Sequence, residues 1–196
     1  MKSERREEIV EVWKTIVEVQ KHFNDIEMRI RSLFITMVLA VAAAQGFLMD
    51  KGLSIKFGDT KILYATFIPL LGVIATFLFY FMDRYWYHRL LIGAVKHGIK
   101  IEEKYAAEMP ELGLSASIGE ASPIKLKRWI TRLLATLFVQ DAKFIETGEL
   151  HSDGKIELFY KPVVTLFVCV FFLTVLFGGV IIDGSSLAKA IITCLI

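Results

Sequence analysis

The sequence predicts an all-α integral membrane protein, built as a long N-terminal amphipathic helix, three transmembrane helices and a cytoplasmic helical layer. Three observations carry that prediction. Hydrophobic residues make up 55% of the 196 positions and mean hydropathy is +0.53, well above what a soluble domain of this size shows. The charges gather in blocks that alternate with apolar stretches. Three of those stretches, 32–49, 62–82 and 162–182, approach the roughly 20 residues a helix needs to cross the hydrocarbon core.

The first block, residues 1–31, places Ile9, Val12, Ile16, Val19, Phe23, Ile26 and Ile30 at alternating three- and four-residue steps, with Glu, Lys and Arg at most positions between them. That is a coiled-coil-like heptad seam, which must be buried on helices of the same chain or against the same helix of neighbouring subunits. No Pro or Gly occurs from Met1 to Gln45, so one continuous rod is expected to run from this block into the first span.

Residues 32–82 read as a transmembrane hairpin closed by a short external turn. In its first span Ser32, Thr36, Ala40 and Ala44 recur every four residues on one stripe. Small residues at that spacing let helices approach closely, and the stripe suits a polar pore lumen equally well. Arg29 and Arg31 abut the first span, Arg84 and Arg89 follow the second, and Lys161 precedes the third. The positive-inside rule then predicts a cytoplasmic N-terminus and an external tail at 183–196, unless that tail folds back as an interfacial helix.

Residues 83–161 form the expected cytoplasmic region, opened by "DRYWYHRLL". Arg84, Tyr85, Trp86, Tyr87, His88 and Arg89 directly below an apolar span have the composition of an interfacial aromatic belt with basic anchors. The helix is expected to continue to Pro110. "PELGLSASIGEASPIK" has loop composition, and "IKLKRWITRLLATLFVQ" reads either as an amphipathic helix with Trp129 at headgroup depth or as a buried helix of the cytoplasmic layer. A turn around Asp153 and Gly154 then leads to the third span, 162–182.

Little here suggests chemistry. Arg84 and His88 have three residues between them, whereas the ribonuclease motif of the HEPN class has four to six. His88 and His97 fall on opposite helix faces and cannot share a metal. No phosphate-binding glycine loop, nucleophile elbow or zinc-protease helix is present, and Cys169 and Cys194 lack metal-ligand spacing. The sequence therefore predicts no catalytic residue, no metal and no cofactor. A net charge of +2 gives no reason to expect direct contact with nucleic acid.

The order of segments, from "FNDIEMRIRSLFITMVLAVAAAQGFL" through "PLLGVIATFLFYFMDRYWYHRLL" and "IEEKYAAEMPELG" to "KIELFYKP", resembles the RipA-type octameric prokaryotic membrane proteins. It is similar also to the related pore protein that accompanies type VI-B CRISPR effectors and to two-transmembrane-helix defence effectors. That resemblance implies a ring of subunits in the inner membrane, an octamer in the family resembled, which perturbs the membrane during antiviral defence. Implied partners are the lipid bilayer, further copies of the chain and a cytoplasmic defence effector. The alternatives are a non-conducting membrane scaffold and a membrane-tethered nuclease using Arg84 and His88.

Overall fold

The computed structural model describes residues 3–57, 60–140 and 142–182. The predicted tail at 183–196, with Cys194, lies outside the described residues. Helix dominates, and among the described residues three helices are long and apolar enough to cross a membrane. The first is α1, Ser3–Lys51, unbroken over 49 residues and continuing through Gly46. Gly52, in the left-handed conformation at φ 59°, ends it.

The expected external turn is a β-ribbon. β1 (Ser54–Phe57) pairs antiparallel with β2 (Thr60–Leu63), Ser54 opposite Leu63 and Ile55 opposite Ile62. A short 3₁₀ turn, Tyr64–Thr66, then leads into α2 (Phe67–Tyr80), where Pro69 sits in the first turn and removes no helical hydrogen bond. A π-helical segment, Phe81–Tyr87, joins α2 to α3 (His88–Tyr105).

The stretch with loop composition contains a helix, α4 (Leu114–Ala121). β3 (Ile124–Lys125) pairs with β4 (Glu149–Leu150) around α5 (Trp129–Phe138) and α6 (Ala142–Thr147). α7 starts at Ser152 and runs to Ile182, so the predicted turn at Asp153 and Gly154 is already helical. Pro162 lies inside it.

The chain forms two compact units. One combines α1 up to Ser32 with Phe79–Lys161; the other combines Leu33–Leu78 with the described part of the chain after Lys161. In the second unit Phe34, Ala65, Thr76 and Phe167 are buried. Gly72 is required there, because a Cβ at that position would stand 2.9 Å from the Phe167 ring. Thr76 and Thr174 return their hydroxyls to carbonyls of their own helices, Gly72 and Val170, which satisfies them in apolar surroundings.

In the first unit, α1 turns five of the seven seam residues inward at least in part, Ile26 among them. Ile9 and Ile30 are buried and Ile16 and Phe23 partly so, but the intervening inward positions are Trp13, Gln20 and Glu27, while Val12 and Val19 are 51% and 41% exposed. Each inward polar group has a dedicated partner: Glu102 for Trp13, Ser115 for Gln20, and Arg31 for Glu27. Ile9 joins Met109 and Leu112 in one small core, and Ala135, Val139, Phe144 and Leu150 form another. The face of α5 carrying Trp129, Leu133 and Leu137 is exposed.

Candidate functional site

The first unit is organised around ionised side chains. Glu27 and Arg31 are one turn apart on α1, and the Arg31 guanidinium donates from Nη2 to Glu27 Oε2 at 3.0 Å. The same guanidinium forks onto Asp83, Nε to Oδ2 at 2.8 Å and Nη2 to Oδ1 at 3.1 Å. This is the bidentate geometry that makes arginine and carboxylate a strong pair. Tyr160 of α7 adds a hydroxyl donated to Asp83 Oδ2 at 3.1 Å. Asp83 is fully buried, so without these donors its charge would carry a large desolvation cost.

The π segment explains how one helix reaches both acids and bases of α1. The His88 N–H bonds the carbonyl of Asp83, five residues back, so the two residues lie about one turn apart on one face. In a regular α-helix five steps would separate them by about 140°. As built, Asp83 meets Arg31 while His88 Nδ1 meets Glu27 Oε1 at 3.1 Å. Both ends of the Glu27–Arg31 pair are thus held by one π turn.

Arg84 faces another way and is taken up by Glu157 of α7 and the Tyr80 hydroxyl. Glu157 Oε2 also accepts from the Gln140 N–H at 2.7 Å and from Lys161 Nζ at 3.0 Å. Burial would raise the Glu157 carboxyl, but the Gln140 N–H, Arg84 and Lys161 outweigh it and hold it below the usual carboxylate range.

A fourth carboxylate, Glu102 of α3, caps α4. It accepts from the N–H groups of Ser115 at 2.9 Å and Ala116 at 3.0 Å and from the Trp13 indole at 3.1 Å. Those amides are the second and third of α4, whose own cap position is Gly113 and offers no side chain. Burial pushes Glu102 up, and the hydrogen bonds from Ser115, Trp13 and Ala116 more than offset it, leaving the carboxyl below its ordinary 4.5. Gln20 bridges the same place, donating to Ser115 Oγ at 3.1 Å and to the Ala94 carbonyl at 3.3 Å.

Between these elements lies a cavity of about 760 Å³, lined by α1, α3, α4 and the start of α7. His88 forms part of its wall. Its Nε2 is buried and has no hydrogen-bond partner, the nearest acid being Asp153 Oδ1 at 3.8 Å.

Of the residues expected as interface anchors, Tyr85, Trp86, Arg89 and Trp129 are exposed and Tyr87 is half-buried. Arg84 and His88 are instead turned inward, because buried carboxylates of α7 and α1 hold them. The two do not share a partner. Ser32, Thr36 and Ala40 are exposed within the protomer and Ala44 is half-buried. Sequence reasoning passed over Glu27, Asp83, Glu157 and Tyr160. Asp83 carried a signal, as the acid directly after an apolar span whose hairpin partner begins directly after Arg31.

No family model, curated protein or solved structure matches the chain.

Proposed function

We propose that the chain is one subunit of a homo-oligomeric, multi-pass protein of the prokaryotic inner membrane, a gated pore that perturbs the membrane in antiviral defence. The observation that carries this reading is how little the three apolar helices cover one another. Only 11%, 22% and 17% of their most apolar windows are buried within the protomer. Leu39, Phe77 and Leu176 suit lipid, but Ser32, Thr36 and Ala40 lie on an exposed stripe too small and polar to gain much from acyl chains. Close packing on another copy, or a wet lumen, accounts for such a stripe better.

The ionic unit supports a gate more than a catalyst. Arg84 and His88 are each committed to a buried carboxylate, so we read them as parts of the Glu27–Arg31–Asp83 and Glu157 networks, with no joint role in cleaving RNA. The setting in defence, the cytoplasmic N-terminus and a cytoplasmic effector as partner rest on the resemblance and on the placement of basic residues.

Ion flux tests the reading. Purified chain reconstituted in liposomes is expected to dissipate an imposed potassium gradient. Intact gradients at every protein density, with inserted protein verified, would leave the scaffold reading in its place.

A further inference from the structure

We propose that the cavity beside His88 is a binding site for a small organic anion, a molecule with an oxyanion head such as phosphate and an apolar body. Its basic lining residues are Arg31, His88, Lys96, His151 and Lys155, against two acids, Glu27 and Asp153. Glu27 is already engaged by Arg31 and His88, Arg31 is held by Asp83 as well, and Lys155 donates to the Ser122 carbonyl, which leaves Lys96 and His151 beside His88 for a ligand. Leu91, Val95, Ile118 and Phe159 supply an apolar wall, and about 760 Å³ is the size of an ordinary small-molecule pocket.

Two independent features place the head. His88 is only 5% exposed, its ring is fixed through Nδ1 by Glu27, and Nε2 is buried in the cavity wall without a hydrogen-bond partner. Because Nδ1–H is given to the Glu27 carboxylate, Nε2 carries a proton only in the imidazolium, and that is the form an oxyanion holds. Beside it, the first turn of α7 also lines the cavity: the Lys155 N–H bonds the His151 carbonyl, so the amides before it precede the first helical hydrogen bond. The start of this 31-residue helix favours negative charge.

Asp153 already puts a carboxylate 3.8 Å from Nε2, too far to bond it. A ligand's oxyanion takes that place and displaces the half-exposed Asp153 side chain. This makes Asp153 a competitor, which sets the sign of one test.

The experiment is calorimetric titration of the full chain, in nanodiscs of neutral phosphatidylcholine, with phenyl phosphate and with phenol. Phenyl phosphate is expected to bind once per chain and phenol not to bind. Lys96→Glu should weaken phenyl phosphate about tenfold, the change a lost charge-assisted contact brings, and Asp153→Asn should tighten it. Ile118→Trp, which fills the cavity from α4, should abolish binding; Lys96 is exposed, so its variant decides the matter if the tryptophan chain fails to fold. Repeating the titration in discs containing phosphatidic acid separates the sources of the head: lost binding means a lipid headgroup occupies the site, retained binding means a soluble ligand.

No binding of phenyl phosphate in neutral discs, or equal binding by Ile118→Trp and by Lys96→Glu, would overturn the proposal. The site does not depend on conduction, so a chain that binds without conducting removes the pore and leaves the site.

Discussion

At the scale of residues, the buried acids Glu27, Asp83, Glu102 and Glu157 each sit among donors. Asp83 is fully buried, with Arg31 and Tyr160 as its donors, so removing its charge leaves a largely covered guanidinium with Glu27 as its one charged partner. Asp83→Asn is expected to lower stability by about 3 kcal/mol, measured by denaturant unfolding of the solubilised chain, because breaking a buried pair costs more than the pair contributes. Glu102 yields a pH prediction. Its folded value lies below 4.5, so its ionised form stabilises the fold above that pH, and the contribution disappears as pH falls through the lowered value. Glu102→Gln should therefore be less stable than wild type at pH 7, with the gap narrowing below pH 4.5 and closing further down. A gap independent of pH would contradict the capping role. These residues were hard to find in sequence because an acid in a mixed-charge block resembles a solvated face. Glu102 lies among Lys100, Glu103 and Lys104, and only the fold shows which of them turns inward.

At the scale of elements, hydrophobicity located the long helices because length and an apolar run leave few alternatives. It failed where short-range signals compete with tertiary contacts. The ribbon of β1 and β2 is four residues a side, too short to show a period, and α4 forms in a stretch of loop composition because a carboxylate from another helix caps it. On α1 the apolar pattern showed only part of the inward face, for a related reason. A search for apolar residues selected Val12 and Val19, whereas the packed positions are Trp13 and Gln20, whose hydrogen bonds are made across to α3 and α4. Two glycines of α3 give a paired prediction. A Cβ on Gly98 would stand 2.6 Å from both Gln20 Nε2 and Ser115 Oγ, while one on Gly93 meets nothing within 4 Å. Gly98→Ala should destabilise by about 1–3 kcal/mol through overpacking. Gly93→Ala, on an exposed helical site, should stabilise by about 0.5–1 kcal/mol, both read from unfolding midpoints.

At the scale of the whole molecule, the two compact units divide the chain near Ser32, Phe79 and Pro162, where charged blocks give way to apolar ones. The candidate site was much less legible than this division, since it depends on which charges meet across helices far apart in sequence. His88 was visible as a histidine after a span; its partner Glu27 lies 61 residues earlier. Assembly is the level at which the exposed stripe of the first span matters. Ala40→Leu should disrupt the oligomer or abolish ion flux in liposomes, because a larger side chain prevents close helix approach or narrows a lumen. Wild-type assembly together with wild-type flux in that variant would count against the stripe. The most direct test of the central claim is the mass of the detergent-solubilised particle by native mass spectrometry. The account predicts a single closed assembly of about six to ten subunits, and a monomer or dimer that persists across mild detergents would contradict it.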